Sequence, residues 1–273
     1  MIEISDSFNN FLEGTGEVLK TVPKVYDDVI HPSAVETGKA LSIIPKAINA
    51  ALAPVREWIS YKEYNLAETE KLLANKLENI SADKIVPPEP YIAVPALQAI
   101  SYSMNNSELR NLYANLIAKS MNTDTKDTVH PAYVEIIKQL SSFDAILLKK
   151  LSDTNLTSFG IIKIRLEKSN SNNQGFDWIS HIISPNFGMN LSNFKQYAVS
   201  LENLQRLQLI HIDYTNYLIN DSIYREIESG DIITKCRADA PYTNKEYQFF
   251  KCLKGILRFT SLGQEFNNIC IGA

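Results

Sequence analysis

The stretch that decides the fold begins Asn105-Asn-Ser-Glu-Leu-Arg-Asn-Leu-Tyr-Ala-Asn-Leu-Ile-Ala-Lys-Ser-Met121. After a polar loop it continues His130-Pro-Ala-Tyr-Val-Glu-Ile-Ile-Lys-Gln-Leu-Ser-Ser-Phe-Asp-Ala-Ile-Leu-Leu-Lys-Lys-Leu151. In the first segment, apolar residues recur at the three- and four-residue spacing of one helix face: Leu109, Leu112, Tyr113, Leu116, Ile117 and Met121. Asn105 and Glu108 have the spacing of a capping box, so the pattern predicts a helix that begins after Asn105.

Two further helices are predicted after the loop at residues 122–129. Pro131 suits the first position of the second helix, whose apolar stripe is Tyr133, Val134, Ile137 and Leu140. Ser141 and Asp144 are three residues apart, which predicts a cap for a third helix with Phe143, Ile146, Leu147 and Leu151 facing inward. Three helices with short links form a compact unit whose core explains these apolar residues.

This order of segments resembles the bacterial abortive-infection alpha family. The shared features are a Pro-rich entry, Ser107-Glu-Leu-Arg110, His130-Pro-Ala-Tyr-Val134 and Phe143-Asp-Ala-Ile146. The resemblance covers about residues 37–151 well and the remainder more loosely. It implies a role in limiting phage infection and supplies no catalytic residues. We interpret the residues that carry the resemblance as structural: Glu108, Leu109, Arg110, His130, Pro131 and Asp144.

Composition narrows the class of protein. A net charge of −4 over 273 residues gives no overall attraction to nucleic acid or anionic lipid. The three widely spaced cysteines, Cys236, Cys252 and Cys270, fit reduced thiols better than a disulfide framework or a zinc site. We see no export signal and no apolar run long enough to span a membrane, so we predict a cytoplasmic protein.

The chain is predicted to have three parts: an N-terminal helical arm (1–85), a central helical unit (86–151) and an α+β module (152–273). The arm contains an apolar segment, residues 40–59, interrupted by two prolines. Its residues Ile43, Ile44, Ile48 and Leu52 either contact a membrane transiently or lie in a buried helix. A long helix is predicted from Trp58 to Ile80, lying along a neighbour within the chain or across a homodimer.

The α+β module is predicted from alternating and helical patterns. Ile162, Ile164 and Leu166 alternate with charged residues, which indicates a half-buried strand, and residues 176–183 form a second strand. A helix at 191–208, a strand at 209–212, a long wing, a strand at 255–260 and a helix from Ser261 follow. That layout is similar to a winged helix. In a DNA-binding version, the contacts would be Lys195, Arg206, Lys251, Lys254 and Arg258.

No set of residues in the sequence has the spacing of a known catalytic, metal or cofactor site. His130 and nearby acidic residues could be taken for a metal site. Two observations argue against this: His130 and Glu135 are five residues apart and so not on one helix face, and Asp144 is explained as a helix cap. His181 and His211 lie in apolar, strand-like surroundings, so we interpret them as structural. We therefore predict a mainly helical, winged-helix-like phage-defence protein that binds an unidentified protein partner or phage component, or a membrane. The alternatives are a DNA-binding regulator and a nuclease-type enzyme whose site is not visible in the sequence.

Overall fold

A computed structural model describes residues 71–102, 106–168 and 174–272, with no side-chain detail at 101 and 102. These residues divide into two units. The first comprises 71–139 with 268–272, and the second comprises 140–267. The apolar segment at 40–59 and most of the helix predicted from Trp58 lie outside the described residues. The division into three parts stays a prediction.

The first unit is helical. Residues 71–77 are helical, and α1 (Pro90–Tyr102), α2 (Ser107–Ser120) and α3 (Ala132–Lys138) pack against one another. The core is the apolar stripe that the sequence predicts, with Leu116, Ile117 and Ile137 inaccessible to solvent. The C-terminal residues join this unit, since the Asn115 side chain donates a 2.6 Å hydrogen bond to the carbonyl of Cys270.

Two local features of this unit differ from the prediction. The helix cap is Asn106 and not Asn105: the Asn106 side chain accepts a hydrogen bond from the backbone N–H of Leu109 at 3.2 Å. Helix α1 is not predicted at all, because it contains Pro95, and an internal proline normally argues against a helix.

The second unit is an α+β fold. Its helices are α4 (Ser142–Ser152), α5 (Phe194–Arg206), α6 (Ser222–Glu228), α7 (Asp231–Thr243) and α8 (Ser261–Phe266). Its strands are β1 (Ser158–Glu167), β2 (Gly175–Ile183), β3 (Ile210–Asp213) and β4 (Phe249–Phe259). The strands form an antiparallel sheet in the order β2-β1-β4-β3. Mixed helical and antiparallel strand content is therefore confirmed for the described residues.

The sheet has two unlike faces because side chains alternate along each strand. On one face Ile162, Ile164 and Leu166 are buried, and α6 and α7 pack against the sheet. The opposite face is apolar at one end, where Phe159 and Leu257 are buried. At its other end it carries the charged residues of β1, which form the site described below.

The prediction of a long wing between β3 and β4 is wrong. Two helices, α6 and α7, occupy that segment, and β4 begins at Phe249, six residues before the predicted strand. The helices are anchored in the core: Tyr224 of α6 is inaccessible to solvent, and its hydroxyl donates to the carbonyl of Gly255 at 2.8 Å. Ile146 on α4, predicted to face inward, is instead exposed.

The capping box that the sequence predicts for α4 is confirmed. Ser141 Oγ accepts from the backbone N–H of Asp144 at 3.1 Å, and Asp144 Oδ2 accepts from the N–H of Ser141 at 2.7 Å. The same buried carboxylate accepts a hydrogen bond from the Asn203 amide of α5 at 2.9 Å. Asp144 therefore joins two helices of the second unit.

Removing this cap is expected to destabilise the second unit by about 1 kcal/mol, because Ser141→Ala leaves a helix N–H without its acceptor. In a Trp58→Phe background, Trp178 is the remaining tryptophan, so its fluorescence in urea reports the second unit. Ser141→Asn is the control, since asparagine also caps helices and should keep the unfolding midpoint. Equal midpoints for all three proteins would contradict the role of the cap.

Candidate functional site on the charged half of the sheet

The charged half of one sheet face is built by strand alternation. β1 and β4 pair without a register shift, so Lys163, Arg165 and Glu167 lie opposite Leu253, Lys251 and Phe249 in turn. All six therefore share one face. We call this surface the open face, defined by Lys163, Arg165, Glu167, Asp177, Phe249 and Lys251.

Ion pairs link the charged residues of the open face across three strands. Lys163 Nζ lies 2.8 Å from Asp177 Oδ2, and Arg165 Nη1 lies 3.1 Å from Asp177 Oδ1. Arg165 and Lys251 also pair with Glu167, whose side chain is only 8% exposed. The hydrogen bond from Lys163, assisted by Arg165, holds the pKa of Asp177 below its ordinary value.

Tyr214 lies across this face immediately after β3. Its ring is close to Gly255 of β4, and Lys163 of β1 has its ammonium 4.7 Å from the ring centroid. Its hydroxyl reaches β2, where it accepts from the backbone N–H of His181 at 3.2 Å. Burial raises the pKa of Tyr214, so the phenol stays protonated at neutral pH. One side chain thus bridges three strands.

His181 has a strained backbone at the edge of the site. Its φ is +63°, a left-handed value that costs a residue with a side chain about 1–3 kcal/mol. The cause is the register of β2, which carries one extra residue between Asp177 and Ile179 and another between Ile179 and Ile182 relative to β1. Bulges of this kind redirect side chains, and here the His181 ring is directed between Tyr214 and α5.

The His181 ring is held at both nitrogens. Nδ1 lies 3.2 Å from the Tyr214 hydroxyl, and Nε2 lies 3.6 Å from the Glu202 carboxylate of α5. Because Nε2 faces the Glu202 carboxylate, which only accepts, the ring proton of the neutral imidazole belongs on Nε2, and Nδ1 then accepts from the phenol. Burial lowers the pKa of His181, and this outweighs the opposing effect of Glu202. The carboxylate, imidazole and phenol therefore form a chain that fixes the bulged strand.

The predicted DNA contacts do not form one surface. Lys251 belongs to the open face, whereas Lys254 and Arg258 lie at alternate positions of β4 and therefore on the opposite face. Lys254 is paired with Asp221, and the Arg206 guanidinium donates to Asn203 Oδ1 at 2.7 Å. Lys195 is exposed on α5.

Two of the residues that carry the family resemblance, His130 and Asp144, have local hydrogen-bond partners. Glu108, Leu109 and Arg110 lie in the first turn of α2, and all three are half-buried. His130 is exposed beside Pro131, which precedes α3, and its Nδ1 accepts from the N–H of Ala132 at 3.1 Å. Asp144 has the capping role described above.

Two residues that shape the open face, Tyr214 and His181, are not predicted by the sequence to do so. No pattern marks Tyr214, and the pattern around His181 predicts an ordinary structural histidine. The signal for the charged residues was present, since Lys163, Arg165 and Glu167 alternate with apolar residues. His211 differs from its prediction, because it is exposed and not in apolar surroundings.

In the ranges 71–102, 106–168 and 174–272, no group of three or more His, Cys, Asp or Glu side chains is placed to hold a metal ion. Within the same ranges, no helix is long and apolar enough to cross a membrane. The three cysteines are free thiols, and burial raises the pKa of Cys236 to about 11, which keeps that thiol protonated.

The fold and the open face define an α+β protein that presents a charged sheet surface with an exposed aromatic residue. The family model "abortive infection alpha" matches residues 61–270, and the chain belongs to that family. No curated protein matches it. It is similar to a solved structure of an uncharacterized protein from the hydrocarbon-degrading marine bacterium Alcanivorax borkumensis SK2. That similarity has 16% sequence identity and a TM-score of 0.33, over 51% of this chain and 94% of the other.

The lowered pKa of His181 predicts a pH dependence of stability. The folded protein holds this imidazole neutral below its ordinary pKa near 6.5, whereas the unfolded chain takes up a proton there. The unfolded state then binds more protons, so the free energy of unfolding falls as pH drops below 6.5, by at most about 1.4 kcal/mol per pH unit.

His181→Asn tests this pH dependence, because asparagine tolerates a left-handed φ and does not titrate. Urea midpoints between pH 5 and 7 should fall more steeply in the wild type than in the variant. All other titrating groups are common to both proteins, so the difference in slope reports His181. Parallel pH profiles would show that His181 has the same pKa in the folded and unfolded states.

Proposed function

We propose that this protein limits phage infection by abortive infection and acts by binding a protein or phage component through the open face. Membership of the abortive infection alpha family over residues 61–270 supports the defence role. The open face supports binding as the mode of action. Its ion pairs are already formed, and Phe249 is 53% exposed among them.

Preformed ion pairs favour recognition by a partner. The carboxylates of Asp177 and Glu167 hold Lys163, Arg165 and Lys251 in position, so a partner meets an ordered surface and spends less free energy on immobilising side chains. An exposed aromatic ring next to such charges is a common anchor at binding surfaces. Phe249 is therefore the residue whose loss should weaken binding most.

A winged-helix DNA regulator is the second candidate, and the geometry favours it less. A duplex reader needs several cations converging on phosphates. On β4, Lys251 lies on the face opposite to Lys254 and Arg258. Of the predicted cations, Lys254 is engaged by Asp221, and Arg206 of α5 by Asn203.

The test is phage challenge of bacteria that express the protein. Wild type, Phe249→Ala and the control Tyr242→Ala would be compared at low and high multiplicity. Tyr242 is 90% exposed on α7 and lies outside the open face. We expect protection at low multiplicity and culture collapse at high multiplicity for wild type and Tyr242→Ala, with protection lost in Phe249→Ala.

Other outcomes would change the proposal in defined ways. Absence of protection against every phage tested, with expression demonstrated, would contradict the defence role. Protection unchanged in Phe249→Ala would remove the open face from the proposal. Loss of protection only when charges replace Ile44 and Ile48 would indicate membrane contact.

A further inference from the structure

The open face has the layout of a stacking platform bordered by cations. Phe249 and Lys251 are two residues apart on β4, and Arg165 lies directly opposite Lys251 on the neighbouring strand. Residues two apart on a strand are separated by about 7 Å, and neighbouring strands by about 4.8 Å. One aromatic ring and two cationic groups therefore lie within the span of one nucleotide and its flanking phosphates.

The most accessible groups on this surface are the Phe249 ring and the Lys251 side chain, followed by the Asp177 carboxylate at 36% exposed, whereas Lys163 and Arg165 are less exposed. Phe249 is 53% exposed and the Lys251 side chain 40%, whereas the Glu167 carboxylate that pairs with Lys251 is 8% exposed. The Lys251 ammonium lies over the Phe249 ring, 5.6 Å from its centroid, so a base that stacks on that ring face displaces the ammonium and brings a phosphate next to it. The buried Glu167 carboxylate holds Arg165 and Lys251 in position and contributes little to the exposed surface.

The charge balance selects the form of nucleic acid. Lys163, Arg165 and Lys251 outnumber Asp177 and Glu167, which leaves one positive charge on a chain whose net charge is −4. A duplex hides its bases and is held mainly by phosphate contacts. An excess of one positive charge therefore supports duplex binding poorly. A single strand exposes the faces of its bases, and stacking on an aromatic side chain strengthens binding by about 5- to 150-fold per base.

We propose that the open face binds single-stranded RNA or DNA, with a base stacked on Phe249 and the adjoining phosphate on Lys251, while Arg165 stays bonded to Glu167, Asp177 and the Gly175 carbonyl. This assignment names the partner of the surface in the proposed function, and it rests on that function only for its role in defence. Tyr214 and His181 support the platform, because they hold β1, β2 and β4 together beside it.

The test is fluorescence anisotropy of labelled oligonucleotides with the purified full-length chain at low salt. The probes are oligo(U), oligo(dT) and a DNA duplex, each about 20 nucleotides long, which is enough to span the open face. We expect both single strands to bind and the duplex to bind at least about tenfold more weakly, which is a difference of about 1.4 kcal/mol. The ratio of oligo(U) to oligo(dT) affinity shows which sugar the surface prefers.

Matched variants locate the binding surface. Phe249→Ala should weaken single-strand binding by about 5- to 150-fold, the equivalent of one lost stacking contact. Lys251→Gln should weaken it and reduce the salt dependence by about 0.7 in the log–log slope, one phosphate contact on a single strand. The controls are Tyr242→Ala and Lys235→Gln on α7. Lys235 is ion-paired with Asp239 as Lys251 is with Glu167, and neither control should change affinity.

The outcomes separate this inference from the proposed function. No anisotropy change with either single strand would overturn the inference, as expected if the face binds protein instead. Equal affinity for duplex, or equal losses in the control variants, would overturn it as well. Single-strand binding that Phe249→Ala abolishes while phage protection persists would leave the inference standing and remove the open face from the defence role.

Discussion

Gly263→Ala is expected to prevent stable folding of the second unit, at a cost on the order of 4 kcal/mol or more. Gly263 lies in the first turn of α8, where its N–H donates to Thr260 Oγ1 at 2.9 Å. A Cβ atom there would overlap the carbonyl oxygen of Leu209 and lie 2.7 Å from its carbonyl carbon. Both are backbone atoms, so no side-chain rotation relieves the overlap.

The Leu209 backbone is fixed from several directions. Leu209 is inaccessible to solvent, and its carbonyl accepts from the N–H of Thr260 at 3.2 Å. Phe266, three residues after Gly263, is also inaccessible to solvent, so α8 does not shift outward without exposing core. Thr260, Gly263 and Phe266 are thus explained by helix capping, close approach and core packing.

Urea unfolding followed by Trp178 fluorescence, in the Trp58→Phe background, measures this cost. The control is Gly230→Ala, where a Cβ would meet only the Ile227 carbonyl oxygen at 3.1 Å and φ is not in the left-handed region. That control should retain a cooperative transition close to wild type. A Gly263→Ala protein with the same midpoint as Gly230→Ala would show that α8 can move away from Leu209.

Local patterns in the sequence predict local structure well in this protein. α2, α3, α4 and α5 follow from apolar residues at helical spacing, and β1 and β2 from alternation and strand-forming residues. The capping box at Ser141 and Asp144 is also local, since both hydrogen bonds close within three residues. These features depend on neighbours that are close in the chain, which is why a single sequence predicts them.

The rest of the fold depends on contacts between distant residues. The seven-residue helix α6 has a short apolar stripe, in which Tyr224 and Ile227 are the buried residues, and so short a stripe does not predict a helix. The part of β4 before the predicted strand reads Phe249-Phe-Lys-Cys-Leu-Lys254, which has no regular alternation, and it is a strand because it pairs with β1.

The sequence predicts which charged residues of β1 belong to the candidate site, and it does not predict how they are arranged with residues of other strands. The alternation of Lys163 and Arg165 is visible in the sequence, but their pairing with Asp177 depends on the β1–β2 register. That register includes two bulges, and nothing in the residues 175–183 marks where they fall. The left-handed backbone at His181 follows from the second bulge and is held by Tyr214, 33 residues away.

Gly255→Ala is expected to destabilise the second unit by about 2–3 kcal/mol, because it forces atoms into a filled space. A Cβ at this position would lie 2.6 Å from Cδ1 of Tyr214 and 2.7 Å from the carbonyl oxygen of Asp213. The Tyr214 ring has little freedom to move, since its hydroxyl is bonded to His181. The Asp213 carbonyl belongs to β3 and is likewise restrained by pairing with β4.

The double variant Gly255→Ala/Tyr214→Ala separates the two contacts. Removing the ring alone should cost about 3 kcal/mol or more, because it leaves a cavity and frees the bulged backbone at His181. In the double variant the clash with the ring is gone and the clash with the Asp213 carbonyl remains. The double variant should therefore be destabilised by less than the sum of the two single variants, and the difference should be about 0.5–3 kcal/mol.

Urea midpoints of the four proteins in this cycle give the coupling energy directly. Because Tyr214 bridges β4, β1 and β2, the same variants should also alter the pH dependence assigned to His181, whose Nδ1 would lose its donor. Strict additivity of the two costs, with an unchanged pH profile, would mean that Tyr214 does not restrain the sheet. The open face would then owe its order to the ion pairs of Lys163, Arg165 and Lys251 alone.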